Sequence, residues 1–153
     1  NNLKKINKTM DTLQEMMKKV LADTFALYLK AHQYHWNVEG QNFPQYHEFF
    51  GNLYEELHDA VDPIAEQVRA LDAYAPGSFT RFMELTDIED EVTVPAGVEM
   101  ARRLMTDNEK VIGTLNIAFK LAEQLDKQGL ADFLAGRIDI HNKHQWMLRS
   151  ITK

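Results

Sequence analysis

Residues 35–50, HWNVEGQNFPQYHEFF, contain a turn between two long stretches of helical periodicity. Asn37 to Asn42 has the glycine and asparagine content of a tight connection. Asn42 is followed by Phe43 and Pro44, a pattern that predicts a helix N-cap with proline in the first turn. The segment therefore predicts two antiparallel neighbouring helices joined by a short turn, with a histidine on each side of it.

The helices on either side of this turn follow from apolar residues at three- and four-residue steps. Upstream, the pattern predicts a first helix from about Leu3 to Tyr34. Downstream, it predicts a second helix to about Leu71, with a kink at Pro63 because proline removes a backbone donor and disfavours helical geometry at Asp62. The apolar positions that carry the two patterns are Met10, Leu13, Met17, Val20, Leu21, Leu27 and Tyr28, then Phe49, Phe50, Leu53, Leu57, Val61, Ile64 and Val68.

The rest of the chain also reads as helix, and no strand pattern competes with it. The connection between the second and third long helices is long enough to cross a bundle. We therefore expect an all-α protein, a ferritin-like four-helix bundle with a short extra helix in the crossover, formed by one domain over residues 1–153. The predicted boundaries are Ser78 capping a short helix from Phe79 to Glu84, Thr93-Val94-Pro95 capping a third long helix that ends near Leu125, and Gly129 as the turn into a fourth.

Composition limits the chemistry of the protein. The chain has 153 residues, no cysteine and a formal net charge of -6. Without thiolates, any metal ion must be held by nitrogen and oxygen atoms, and the acidic balance disfavours a surface built for phosphate backbones. The sequence shows no secretory signal and no membrane-spanning stretch, so we expect a soluble, cytoplasmic protein.

The residues able to bind a metal ion form two groups. His35 and His47 lie on either side of the first turn, where a short connection can bring the two imidazoles together. Asp62 and Glu66 are one helical turn apart and can present two carboxylates to one cation or to an adjacent pair. The further candidates near these groups are His32, Glu55, His58 and Asp59.

The two groups are too far apart to share a metal ion within one chain. Fifteen residues of helix separate His47 from Asp62, roughly 22 Å at about 1.5 Å per residue. A two-fold dimer with antiparallel second helices would place the histidine end of one subunit beside the carboxylate end of the other. The spacing therefore suggests a site shared between two subunits.

The motif residues resemble those of the Dps family of mini-ferritins. The similarity runs along essentially the whole chain and includes the connecting segment Ser78 to Ile88. It rests on His35-Trp36-Asn37-Val38-x-Gly40-x-x-Phe43-x-x-x-His47-Glu48-x-Phe50, on Tyr54 and Asp62-x-x-Ala65-Glu66, and on Trp146-Met147-Leu148.

The resemblance implies a dodecamer built from two-fold dimers, with ferroxidase centres at the dimer interfaces. His35 and His47 of one subunit, with Asp62 and Glu66 of its partner, would then bind iron and catalyse its oxidation. Mixed imidazole and carboxylate ligands suit ferrous iron and its ferric product. The family implies hydrogen peroxide as the preferred oxidant over dioxygen, storage of ferric mineral, and protection against oxidative damage.

The sequence departs from the family pattern at Gly51, where many relatives carry a further carboxylate, so the second iron is expected to have a weaker ligand set. Glu55-x-x-His58 has the spacing of a di-iron helix in ordinary ferritins. We interpret this spacing as coincidental and not as a di-iron motif, because no second Glu-x-x-His occurs in the chain. Taken singly, His32, His58, His141 and His144 are expected to be polar surface or capping groups.

Other surface features have a functional and a plainer interpretation. Trp36, with Tyr34 and Tyr54, can take up stray oxidising equivalents or simply pack at an interface. Three acids, Asp126, Asp132 and Asp139, are candidates for a cation pore, and Glu48, Glu55 and Asp59 for mineral nucleation. Each set is equally compatible with a solvated helix face.

Two other functions remain open at this point. A DNA-compacting protein needs basic residues, and the first residues offer only Lys4, Lys5 and Lys8, so DNA binding is not favoured. A helical interaction module without metal chemistry predicts that the histidine and carboxylate groups act independently.

Overall fold

The computed structural model describes residues 1–153 and contains five helices and no strand. α1 packs along α2, α4 packs along α5, and α1 also contacts α4, so the four long helices form one bundle. The all-α prediction, with its short extra helix in the crossover, is confirmed. The helices are α1 (Asn2–Asn37), α2 (Phe43–Ala70), α3 (Phe79–Leu85), α4 (Gly97–Gln124) and α5 (Gln128–Ile151).

The core contains the apolar positions that the helical periodicity picks out. Leu13, Met17 and Leu27 of α1 are buried against Leu57 and Ile64 of α2 and their neighbours on α4 and α5. These side chains belong to a cluster of 27 buried residues that runs through all four long helices. Burial of such an apolar stripe, rather than intrinsic propensity, supplies most of the stability of each helix.

The crossover between α2 and α4 is fixed to the bundle by a buried acid. Ser78 caps α3 as predicted, its hydroxyl accepting a hydrogen bond from the Arg81 N–H. Asp23 of α1 is fully buried and accepts hydrogen bonds from the Thr86 hydroxyl at 2.6 Å and from the Asp87 N–H at 3.0 Å. The segment that follows α3 is therefore held against α1 by a side chain that periodicity alone does not identify.

The predicted cap at Thr93 is wrong. α4 begins at Gly97, after Ala96, and no side chain caps its N-terminus. The Thr93 backbone N–H and hydroxyl instead donate to Glu91, at 3.1 and 2.8 Å. Thr93 therefore lies in the crossover loop, hydrogen-bonded to Glu91, and the helix starts later than expected.

Two other boundary predictions need correction. Asn42 precedes α2 as predicted, but its backbone is left-handed, with φ of 67°, and its side chain makes no capping hydrogen bond. Gly129 lies inside α5 rather than in the turn. The turn uses Asp126, whose φ of 56° supplies the left-handed residue that commonly follows a helix C-terminus. Pro63 lies inside α2, which is helical on both sides of it, and the kink expected there stays a prediction.

Several charged side chains are buried inside the bundle. Lys30 of α1 pairs with Asp107 of α4 at 2.8 Å, with both side chains buried. Glu91 accepts a hydrogen bond from the hydroxyl of buried Tyr34 and pairs with Arg103, each at 2.6 Å. The hydrogen bond between Tyr34 and Glu91 connects α1 to the crossover loop that precedes α4. None of the helices combines the length and apolar character needed to cross a membrane.

Candidate metal centre

His35 and His47 face each other across the first turn. Their rings stack with centroids 3.8 Å apart and planes 18° from parallel. His35 Nδ1 lies 2.7 Å from the carbonyl oxygen of His47, and His47 Nδ1 lies 2.7 Å from the carbonyl oxygen of His35. The short connection thus brings the two imidazoles together, as the sequence predicts, and locks them in a reciprocal pair.

The reciprocal hydrogen bonds decide which ring nitrogens can bind a metal ion. A backbone carbonyl only accepts, so each Nδ1 must carry the proton. The Nε2 atom of each neutral ring then keeps its lone pair. A metal-binding histidine usually donates its other ring N–H to a carbonyl or carboxylate in this way, which fixes both tautomer and orientation. Both rings are half-buried, so they are oriented yet remain accessible.

Gly51 lies directly against the ring of His35. A Cβ at this position would be 3.1 Å from both Cε1 and Nδ1 of that ring, closer than most Cβ contacts in proteins. The missing side chain therefore has a local consequence besides the loss of a possible carboxylate. Glycine makes room for the His35 ring to stack on His47.

Asp62 and Glu66, the second candidate ligand group, lie on the exposed face of α2. A hydrogen bond to Asp62, together with the repulsion between the two carboxylates, raises the pKa of Glu66 above its ordinary value. This proximity is the property expected of two acids one helical turn apart. The pair is accessible from solvent and presents two oxygen ligands to a cation or to a neighbouring subunit.

The chain does not bring the histidine and carboxylate groups together by itself. α2 is helical from Phe43 to Ala70, so His47 and Asp62 lie on one rigid rod, roughly 22 Å apart at about 1.5 Å per residue. No group of three or more histidine, aspartate or glutamate side chains in the chain is arranged to hold a metal ion. The Glu55 and His58 side chains are exposed.

Aromatic rings extend from the histidine pair along α1 and α2. His32 stacks on Tyr54 with ring centroids 3.7 Å apart. Its Nδ1 is hydrogen-bonded to the Tyr28 hydroxyl at 3.1 Å. Trp36 is 60% exposed and lies 4.0 Å from the His32 ring. Tyr34, which the sequence groups with Trp36, is instead buried in the core. His32 is a stacked, half-buried ring rather than a free surface group.

His141 was expected at the surface, and this prediction is wrong. It is fully buried in α5 and contacts Asn108 of α4. His144 is partly buried and pairs with Glu56 of α2 at 2.8 Å. Arg137 completes this group. Sequence reasoning missed Glu56, Asn108 and Arg137, although the four-residue spacing of Arg137 and His141 places them on one face of α5.

The remaining acids lie on the surface. The candidates for a pore, Asp126, Asp132 and Asp139, are all exposed. The candidates for mineral nucleation, Glu48, Glu55 and Asp59, are exposed along α2. Exposure is compatible with either role and with a solvated helix face.

Known proteins resemble this chain along most of its length. Residues 14–153 match the family of ferritin-like domains. The DNA protection during starvation protein 2 of Bacillus anthracis is 30% identical over 136 residues, which are 89% of this chain and 93% of that protein. An uncharacterised low temperature-induced protein of Nostoc sp. is 35% identical over 137 residues, 88% of this chain and 76% of its own.

A solved structure agrees with these sequence relatives. The crystal structure of a Dps protein from Bacillus brevis superposes with a TM-score of 0.91 at 27% identity, covering 95% of this chain and 98% of that one. The fold, the sequence matches and the motif around the first turn all indicate the same family. The chain belongs to the Dps family of ferritin-like proteins.

Proposed function

We propose that this protein is a ferroxidase and iron-storage mini-ferritin whose oxidation sites are shared between two subunits. Membership of the ferritin-like family supports iron storage and ferroxidase-type chemistry in general. The finer proposal is that His35 and His47 of one subunit act with Asp62 and Glu66 of its partner. It also includes a hollow dodecamer built from two-fold dimers, which would give a cytoplasmic protein a place to store ferric mineral.

The observation that supports this proposal best is the reciprocal hydrogen bonding of His35 and His47. It leaves two Nε2 lone pairs on oriented, half-buried rings, as is typical of metal-binding histidines. The carboxylates that would complete the ligand set lie at the other end of a rigid helix. Antiparallel packing of two α2 helices brings complementary ends together twice in each dimer.

The ligand types suit iron as the substrate. Neutral imidazoles bind ferrous iron, and the hard oxygens of Asp62 and Glu66 favour the ferric product. In the overall reaction, two ferrous ions each lose one electron and the O–O bond of one hydrogen peroxide accepts both. Two protons from solvent complete two water molecules. The carboxylates would offset the charge that the metal ions gain, and the fixed imidazoles would hold the ferrous ions in place.

Acidic side chains on the surface favour the approach of ferrous ions. The net charge of -6 per subunit attracts ferrous ions. We propose that the acids at 126, 132 and 139 contribute to a cation entrance, and that those at 48, 55 and 59 contribute to mineral nucleation. DNA binding remains the second candidate function, since a relative's name refers to DNA protection.

The test is oxidation of ferrous iron under anaerobic conditions, followed optically after a pulse of hydrogen peroxide. Wild type should rapidly oxidise two ferrous ions per hydrogen peroxide. The His35→Ala/Asp62→Ala variant should lose most of this oxidation rate. The matched control is His58→Ala/Asp11→Ala, which removes an exposed histidine and an exposed aspartate outside the proposed site. Equal rates in all three proteins would contradict the proposal.

A further inference from the structure

A tyrosine and a histidine of α1 form a hydrogen-bonded pair beside the proposed metal centre. The Tyr28 hydroxyl lies 3.1 Å from Nδ1 of His32, and both side chains are half-buried. The two residues are four apart in a helix, so their side chains lie on the same face. The phenol is the stronger acid and the imidazole nitrogen the stronger base, so the hydroxyl donates and the nitrogen accepts. The phenolic proton therefore already points at a base.

This pairing distinguishes Tyr28 from the other tyrosines. Of the five tyrosines, only Tyr28 and Tyr34 have hydroxyls that are hydrogen-bonded to another side chain. Tyr34 donates to Glu91, whose pKa of about 2 makes that carboxylate a poor proton acceptor. His32 is neutral, because burial and then the neighbouring histidines lower its pKa. Tyr28 is therefore the tyrosine whose proton can move to an uncharged base.

A base at this position matters when tyrosine is oxidised. A phenol that loses one electron becomes a very strong acid, so its oxidation is easy only when the proton leaves at the same time. In Tyr28 the proton needs to move only along an existing hydrogen bond to His32 Nδ1. The products are a neutral tyrosyl radical and an imidazolium, and return of one electron reverses the step. The pair can therefore hold one oxidising equivalent and release it again.

Aromatic rings in contact connect this pair to the proposed metal centre. His32 stacks on Tyr54 with ring centroids 3.7 Å apart and planes 6° from parallel. The Tyr54 ring lies 5.2 Å from that of His35, a proposed iron ligand. On its other side, His32 lies 4.0 Å from the exposed ring of Trp36. Electrons pass readily between rings this close, so Tyr28 can reduce an oxidant formed at the metal centre.

We infer that Tyr28 and His32 form a proton-coupled redox pair that supplies the second electron when hydrogen peroxide meets a single ferrous ion. This inference rests on the proposed function. Encounters with one ferrous ion are expected because Gly51 provides no carboxylate for the second. The role of Tyr28 is to prevent release of the radical that such an encounter produces.

The steps balance in atoms and electrons. One ferrous ion gives one electron to hydrogen peroxide, and the O–O bond breaks to give hydroxide and a hydroxyl radical. The radical takes one electron from Tyr28 and becomes a second hydroxide, while the phenolic proton moves to His32. That proton and one from solvent convert the two hydroxides into water. A later ferrous ion reduces the tyrosyl radical and a solvent proton restores the phenol, so two ferrous ions are consumed per hydrogen peroxide.

The pair itself is tested without iron, in a Tyr74→Phe background that lacks the one exposed tyrosine. Photochemically generated ruthenium(III) tris-bipyridine is the one-electron oxidant, and EPR measures the tyrosyl radical. Adding Tyr28→Phe should remove most of the signal, whereas Tyr46→Phe, a half-buried control, should leave it unchanged. His32→Asn keeps a hydrogen-bond acceptor but cannot take the proton. It should slow radical formation by about 100-fold, the lower end of what a positioned base contributes.

The same measurement in D₂O needs no change at the pair. Radical formation in the background protein should be slower in D₂O than in H₂O, because a proton moves with the electron. An undiminished signal in Tyr28→Phe, an unchanged rate in His32→Asn, or equal rates in the two solvents would overturn the inference. Because this experiment contains no iron, failure of the ferroxidase proposal would leave its result unchanged.

The role in iron oxidation is tested with one ferrous ion per subunit and a pulse of hydrogen peroxide under anaerobic conditions. A spin trap detects the hydroxyl radical that escapes. Tyr28→Phe should release more trapped radical than wild type, and Tyr46→Phe should match wild type. Equal trapping in all three proteins would contradict the assignment of the second electron to Tyr28.

Discussion

His35 and His47 each donate an imidazole Nδ1–H to the backbone carbonyl of the other, with both distances equal to 2.7 Å. The two rings therefore hold each other in one tautomer, and their Nε2 atoms keep lone pairs that can bind a metal ion. This pairing depends on the short turn between α1 and α2. It also depends on Gly51, whose lack of a side chain leaves space for the His35 ring.

The first prediction concerns Gly51→Ala. A Cβ placed 3.1 Å from two atoms of the His35 ring must displace the ring and disturb the reciprocal hydrogen bonds. We expect metal affinity to fall by about 10- to 100-fold, the usual effect of disturbing the partners that orient a ligand. Co²⁺ titration of the assembled protein measures this. Gly113→Ala, where a Cβ would meet nothing within 4 Å, is the control and should bind as wild type. An unchanged affinity in Gly51→Ala would remove Gly51 from the account.

The second prediction concerns Gly97, the first residue of α4. A Cβ here would lie 3.0 Å from the Tyr46 ring and 3.2 Å from a methyl carbon of Val38, the residue that follows α1. Gly97→Ala should destabilise the protein by about 1–3 kcal/mol, as overpacking commonly does. Urea unfolding measures the difference. Gly129→Ala, at the start of α5 with open space around the new Cβ, should cause no comparable loss. Equal effects of the two substitutions would show that the packing at Gly97 is not tight.

The third prediction is a pH dependence that arises from Glu91. Burial opposes ionisation, but hydrogen bonds from Tyr34, Thr93 and Arg103 outweigh it and lower the pKa of Glu91 from 4.5 to about 2. A depressed carboxyl pKa stabilises the fold fully above about pH 4.5, and this stabilisation is lost as the pH falls towards 2. Glu91→Gln should therefore be less stable than wild type at pH 7, with a smaller difference at pH 3.

Urea midpoints of the two proteins at both pH values provide this comparison. Glu109→Gln, which alters an exposed glutamate on α4, should match wild type at each pH. A deficit in Glu91→Gln that is as large at pH 3 as at pH 7 would contradict the assigned role of the charge.

The fourth prediction concerns DNA. Lys4, Lys5 and Lys8 are exposed on α1 and are the lysines considered for DNA contact. With a subunit charge of -6, we expect no retardation of duplex DNA at moderate salt. A gel-shift at low and moderate salt checks this. Retardation at moderate salt that disappears when Lys4, Lys5 and Lys8 are replaced by glutamine would favour the DNA-compacting function.

The fold was largely predictable because its signals are local. Apolar periodicity located the four long helices, and Ser78 marked the start of α3 correctly. The boundaries that failed depend on contacts made after folding. Thr93 lies before α4 and hydrogen-bonds to Glu91, which also accepts a hydrogen bond from Tyr34 of α1. Asp126 rather than Gly129 forms the last turn because aspartate also tolerates left-handed backbone.

The candidate site was predictable only in part. The spacing of His35 and His47 around a turn predicted their proximity, and the structure confirms it. The contact between Gly51 and His35 was not predictable, since it requires the packing of two helices. Nor was the pairing of Glu56 with Arg137, which are 81 residues apart in sequence. Periodicity marks which face of a helix is buried but not which polar groups meet there.

Sharing of the site between two subunits is the central claim, and mixing two inactive chains tests it most directly. His47→Ala and Glu66→Ala chains, co-assembled in equal amounts, should recover about a quarter of the wild-type oxidation rate. Random pairing in a two-fold dimer leaves that fraction of shared sites intact. A His47→Ala/Glu66→Ala chain mixed equally with wild type should also give about a quarter of the wild-type rate. A site contained within one chain would instead give no recovery in the first mixture and about half in the second, and that result would contradict the account.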